Sequence, residues 1–516
     1  MSNLVINSGE DWTFEDICQI SDEVEKIGKE MGYSWYPNQI EIITSEQMLD
    51  CYSSVGLPNM YNHWSFGKRF LRDHEAYSKG RQGLAYEIVI NSDPCIVYCM
   101  EDNDKMMQAL VIAHAGIGHN HFFRNNQLFR QWTDASSILD YMEYAKSFVS
   151  ACEEKFGIPA VEKILNAAHA IQHQGVFRYP RKQPLSLKRE REREIFRALE
   201  EESNYNDVME TTLPPDYSVT KWKDPEYLAR KKSLKLPEEN ILYFLEMHSP
   251  VLKQWQRELL RIVRNIAQYF YPQIQDKIMN EGCATWTHYQ ILYKMYERGM
   301  MTPGAMKAFL KSHTSVVYQP DFDSPYYSGI NPYALGFAMM QDIVRICDEP
   351  TAEDKEWFPL IAGKGNHMDV LFEAWETHRD ESFIRQFLSP KVMRDFKLFS
   401  IGNLNSKEYK VCNIHNDSGY KAIRSTLADS NDITNIIPEI NIVDVDLHGN
   451  RDLELKFIRP LGGMDLKNTG PVIQYIADLW GYGVRLSHRC DISNHTYDSN
   501  YRTPSIPDDA DVSKFS

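Results

Sequence analysis

A succession of helical periodicities constrains this chain more than any other feature. Within 239–271, Leu259, Leu260, Ile262, Val263, Ile266 and Phe270 fill one helical face, and further helices are expected over 281–298, 303–313 and 332–347. Upstream, Ile17, Ile20, Val24 and Ile27 give an amphipathic helix from Glu15 to about Gly32. Another helix starts near Asp104 and is expected to be interrupted at Gly116 and Gly118; two more cover 135–155 and 158–173. Residues 84–100, LAYEIVINSDPCIVYCM, place two β-branched runs around Asn-Ser-Asp-Pro and read as a β-hairpin. After about Pro390 strands are expected at 396–401 and 409–414, a hairpin at 439–447 and 452–458, and helices at 419–428 and 470–480. The expected fold is therefore mainly α with a small β-hairpin, plus a C-terminal α/β (α+β) domain. The helical domain would span 1–385, the α/β domain 386–495, and a disordered tail 496–516. The charge-rich stretch at about 178–240, with RYPRKQPLSLKREREREIFRALEEE, reads as a solvated helix and surface excursion.

Composition narrows the function classes. Lysines and arginines number 56 against 72 aspartates and glutamates, a net charge of −16, which disfavours nucleic acid and anionic membranes as partners. No stretch approaches the roughly 18 apolar residues of a membrane span, and the N-terminus lacks a basic start followed by an apolar run. Nine cysteines without a C-x-x-C pair indicate reduced thiols, so a cytoplasmic location is expected. Cys95 and Cys99, four apart in a strand pattern, read as buried thiols.

Histidines set within helical patterns are the candidates for chemistry. His114 and His119 flank Ala-Gly-Ile-Gly, and on an unbroken α-helix residues five apart point about 140° apart. They can share a ligand only if the glycines break or bulge the helix, whereas His114 and His121 would share a face without help. Hydrogen-bonded core histidines are the plain alternative. Glu281 and His288, seven apart and preceded by Asn280, project from one face of one helix and suit cation ligation, an acid/base pair or a structural hydrogen bond. His169 and His173 have i, i+4 spacing but no third partner within sequence reach. His313 precedes a Tyr-rich, Gly/Pro-rich stretch containing Tyr327 and Tyr333, hydroxyls of the kind that steady an oxyanion, with Asn331 and Pro332 starting a helix. Cys283 as a nucleophile is disfavoured, because on a helix it points away from Glu281. The sequence contains no P-loop, G-x-G-x-x-G, G-x-S-x-G or H-E-x-x-H motif.

Several long stretches carry a family resemblance: NHWSFGKRF at 62–70, AYEIVINSDPCI at 85–96, MQALVIAHAGIGHNHFFRNN at 107–126, WQRELLRIVRNIAQYFYPQIQDKIMNEGCATWTHY at 255–289, HTSVVYQPDFDSPYYSGINPYALGFAM at 313–339 and LWGYGVRL at 479–486. Over nearly its whole length the chain resembles the stage V sporulation protein R (SpoVR) family. That resemblance implies a bacterial cytosolic protein linked, in spore formers, to assembly of the spore cortex peptidoglycan. In other bacteria it implies a stress response, with a serine protein kinase and a von Willebrand-type-A-domain protein as associated partners.

A second likeness concerns mechanism. The order of a histidine helix, an Asn-Glu-Gly-x-Ala helix and a Tyr/Gly-rich stretch is similar to gluzincin metallopeptidases. Carried over, His114, His119 and Glu281 would hold a divalent metal, zinc first, and Tyr327 or Tyr333 would donate to an oxyanion. Two departures stand out: Ala115 occupies the place of the general-base glutamate, and the histidines are five apart instead of four. The base would then have to come from elsewhere, His288 or Glu281 being the candidates.

Overall fold

The structure is a computed structural model and describes residues 4–53, 57, 60–78, 87–178, 225–405, 408–413, 416–447, 449–458, 466–492 and 495–502. Most of the charged excursion, 179–224, and the end of the expected tail, 503–516, lie outside the described residues. The chain is mainly α with small β-sheets, and its contacts divide it into two compact units.

The first unit comprises Met1–Ser150 and Tyr269–Ile436. Its opening helix α1 (Phe14–Glu30) starts where Thr13 and Asp16 cap one another reciprocally, and it buries the predicted Ile17, Ile20, Val24 and Ile27. The hairpin forms from β2 (Glu87–Ile90) and β3 (Cys95–Met100), antiparallel, with Val89 opposite Val97. A strand the periodicity did not reveal, β1 (Asn38–Ile43), lies parallel to β3 on its other side, giving the order β1-β3-β2. This central position leaves β3 buried along its whole length, Cys95 and Cys99 included.

After β3, Asp104 accepts the Met107 amide at 2.8 Å and starts α2 (Lys105–Val111). The chain does not break at Gly116 and Gly118. It continues as a π-helix over Ile112–His119 and returns to α geometry in α3 (Asn120–Asn125). Against this segment pack α4 (Lys277–Glu297), α5 (Pro303–Val316) and α6 (Pro332–Asp348), the last started by Asn331 as expected. Ile112, Ala115 and Ile117 join Cys283, Trp286, Phe309, Leu335 and Met340 in one apolar core.

The expected boundary near residue 386 falls inside this unit. Helices Pro390–Asp395 and Asp417–Ser430 give Val392, Met393, Tyr420 and Ile423 to the same core, and strands β4 (Ser400–Asn405) and β5 (Glu408–Asn413) pair between them. The altered sequence pattern after Pro390 marks a change of element type and not of core.

The second unit joins Ala151–Gln268 with Ile437–Ser516. Its sheet has the order β6-β7-β8-β9: β6 (Ile440–Val445) and β7 (Leu453–Phe457) form the expected hairpin, β8 (Val484–Ile492) runs parallel to β7, and β9 (His495–Arg502) pairs antiparallel with β8. Residues 496–502, expected in the tail, thus belong to a strand. Helix Leu466–Trp480 is the crossover between the parallel pair, and Ser249 Oγ donates to the Leu479 carbonyl at 2.7 Å. Arg178 reaches the Pro438 carbonyl at 2.9 Å, and Glu238 bridges Ile442.

Candidate metal centre

The π-helix makes the site. Its turn is wider than an α turn because the hydrogen bonds run from residue i to i+5, as from the Asn120 amide to the Ala115 carbonyl. Residues five apart then fall on the same side of the helix, and the His114 and His119 rings meet edge to face with centroids 4.7 Å apart. Gly118 allows the close approach to α4: a Cβ there would sit 2.5 Å from Ala284 Cα. Gly282 and Gly336 do the same between α4 and α6, where a Cβ on Gly282 would lie 2.7 Å from Gly336 Cα.

At this crossing Glu281 faces both histidines. Its Oε2 is 3.5 Å from His119 Nε2 and 3.9 Å from His114 Nε2, and the three ligand atoms lie within 4.8 Å of one another. Glu87 of β2 also approaches the pair, with Oε1 3.8 Å from His114 Nε2. The histidines are only 4% and 5% exposed, while Glu281 and Glu87 keep 18% and 19% of their side chains open to solvent. Among the described residues Glu281 Oε2 is buried without a hydrogen-bond partner. An orphaned carboxylate oxygen facing two imidazole nitrogens is costly as it stands and would be satisfied by a divalent cation. Two nitrogens and one carboxylate oxygen also form a donor set that suits zinc with an open position.

Outer contacts orient these side chains. His119 Nδ1 lies 2.9 Å from Asn280 Oδ1, so its Nε2 is left to face Glu281. His114 Nδ1 lies 2.9 Å from His288 Nδ1, and His288 Nε2 lies 3.0 Å from His313 Nδ1. Burial holds His114 and His288 well below the ordinary imidazole range; His119 and His288 add to the effect at His114, and His313 and His119 at His288. Burial also brings His313 down to about 4. Burial, and then the charge of Glu281, push Glu87 up to about 8.

A family model described as SpoVR like protein matches residues 11–436, and one described as SpoVR-like C-terminal domain matches 438–490. The chain belongs to the SpoVR family. It is 48% identical over 485 residues to a protein of Escherichia coli (strain K12) called uncharacterized protein YcgB, covering 94% of each chain. No solved structure matches the chain. Four of the stretches that carry the SpoVR resemblance converge on the site. Residues 85–96 bring Glu87, 107–126 His114 and His119, 255–289 Asn280, Glu281 and His288, and 313–339 His313 and Tyr333.

Other candidates are distributed differently. Tyr333 stacks beside His114 with ring centroids 6.5 Å apart, whereas Tyr327 packs against Phe322 at 5.2 Å. His121, expected to share a face with His114, is carried away by the wide turn. Its Nδ1 meets the Ser34 backbone, and its ring lies among Tyr33, Phe372 and Trp375. The helix bearing His169 ends at Ala170, so His173 sits in a separate 3-10 turn. Cys283 is fully buried, and burial raises its thiol far from thiolate formation. Glu87 is the site residue that periodicity missed. Its signal was a lone carboxylate in an otherwise apolar strand, Glu87–Ile90.

Proposed function

We propose that this SpoVR-family protein acts in spore cortex or cell-envelope assembly, or in a stress response, through a metal-dependent, hydrolase-like site of the gluzincin kind. The observation that carries the reading is the unpartnered Glu281 Oε2, set opposite the Nε2 atoms of His114 and His119. A zinc-class cation held by these three residues would supply Lewis-acid polarisation of a carbonyl and a lowered pKa for water. With Ala115 leaving no base, Glu87, whose Oε1 lies 3.8 Å from His114 Nε2, would accept a proton from the reacting water once ionised. Tyr333 is the tyrosine beside the cluster and the preferred donor to an oxyanion.

The near-complete burial of both histidines favours a second reading, a non-catalytic scaffold in a serine-kinase-linked stress complex together with a von Willebrand-type-A-domain protein. Elemental analysis separates the two. Untagged protein purified without chelator is compared with a Glu281→Ala, His114→Ala double variant that keeps its circular dichroism. About one equivalent of zinc or manganese in the native protein, lost in the variant, supports the metal site. No metal in either protein, even after incubation with zinc, defeats the hydrolase reading and leaves the scaffold.

A further inference from the structure

A neutral imidazole has one N–H to give and one lone pair to receive, so a row of hydrogen-bonded imidazoles has a direction. His114, His288 and His313 form such a row, linked Nδ1 to Nδ1 at 2.9 Å and Nε2 to Nδ1 at 3.0 Å, and contributed by the π-helix, α4 and α5. A cation on His114 Nε2 requires that nitrogen to be bare, which puts the His114 proton on Nδ1. His288 Nδ1 must then accept, its proton must be on Nε2, and His313 Nδ1 must accept in turn. With both links kept, each step follows from the one before, and the row ends with an N–H at His313 Nε2.

Without a cation the opposite direction is favoured. His114 Nε2 faces Glu281 Oε2 at 3.9 Å, a buried carboxylate oxygen with no hydrogen-bond partner among the described residues, and this favours a proton there. His114 Nδ1 then accepts from His288 Nδ1–H, and His288 Nε2 accepts from His313 Nδ1–H. His119 behaves differently. Its Nδ1 faces the Asn280 amide oxygen, which only accepts, so its proton stays on Nδ1 in both states.

We propose that occupancy of the cation site reverses the hydrogen-bond direction from His114 through His288 to His313, making His288 and His313 positioning residues of the metal centre. The inference rests on the cation reading of His114, His119 and Glu281. The protons balance: one leaves His114 Nε2 for water, the proton of each link crosses to the neighbouring ring, and one from water joins His313 Nε2. All three rings stay neutral. The consequence is that a change at a buried ligand is registered two residues away, on a different helix.

The test uses full-length protein with ring-15N histidine, examined by long-range proton–nitrogen correlation before and after one equivalent of zinc. His288 and His313 should change from the Nδ1–H to the Nε2–H form, while His119 stays Nδ1–H and serves as the internal control. His288→Phe should weaken zinc binding by about 10- to 100-fold and uncouple His313 from zinc. If that variant does not fold, His313→Leu replaces it and should weaken binding in the same direction. Unchanged His288 and His313 tautomers in zinc-loaded protein, or wild-type zinc affinity in the folded variant, would overturn the proposal while leaving the cation site intact. Failure of the native protein to bind zinc would overturn the cation reading and this inference with it.

Discussion

Two helical segments meet at the site, and they deliver their side chains by different geometry. On α4, Glu281 and His288 are seven residues apart, close to two regular turns, and both face His114. On the π-helix, His114 and His119 are five apart and share a face only because the backbone has left α geometry. The regular segment is self-supporting, its bonds being those of any helix. The irregular one has poorer backbone geometry and is held by its surroundings: Ile112, Ala115 and Ile117 are fully buried, and Gly118 lies against Ala284. A π-helix retained in a core at such a cost, with two ligand-type side chains brought together by it, is the local departure from regularity expected of a functional position.

The most disruptive way to break that contrast is Gly118→Ala. The added methyl would meet the α4 backbone, which cannot move aside, so a loss of about 3 kcal/mol in urea denaturation and loss of zinc binding are expected. Gly116→Ala is the control, since its methyl would meet the end of the Asn38 side chain at 3.3 Å and should change stability by under about 1 kcal/mol. Equal tolerance of both substitutions would show that close packing on α4 does not hold the π-helix.

Glu281→Gln probes the regular segment and comes next in size. It keeps the shape of the side chain and removes the charge, so the fold should survive while zinc affinity falls by at least about 100-fold in isothermal titration. Asn280→Leu, one residue earlier on α4, removes only the acceptor that orients His119; a loss of about 10- to 100-fold is expected. Should the two variants bind zinc equally well, Glu281 would not be a ligand.

The same contrast explains what could be read from the sequence. The buried face of α1, the β2–β3 hairpin, the single helix carrying Glu281 and His288 and the Asn331 cap all follow from local spacing, and the structure has them. The His114–His119 pair was legible only as a condition, because spacing alone cannot say whether glycines will break a helix or let it widen. Glu87 and β1 escaped because their roles depend on partners far along the chain: β1 pairs with β3, and Glu87 with a helix that begins at residue 105. The division into units escaped for the same reason. The described residues of Ala151–Gln268 and Ile437–Ser516 form one compact unit across an interval that no local pattern spans.

Acid sensitivity gives the smallest expected effect and compares the site with ordinary core. His313 beside the site and His121 away from it are both lowered to about 4 by burial. Each is neutral in the fold and protonated in the unfolded chain between about 4 and the ordinary value near 6.5. The unfolded state therefore binds more protons in that window, so these groups make metal-free protein lose stability as pH falls from about 6.5 to about 4, with no contribution to the slope above it. Asp380, its carboxyl raised to about 7 by burial, acts with the opposite sign over an overlapping window, so the wild-type curve alone is a poor probe. Single variants isolate the terms: His313→Leu and His121→Phe should each flatten the acid limb of stability measured by urea midpoints. Zinc separates them, because a cation bound beside His114 favours the neutral row through His288. Saturating zinc should thus steepen the acid limb in wild type and in His121→Phe, and steepen it less in His313→Leu. Equal response of the two variants to zinc would mean that His313 is no more coupled to the site than His121.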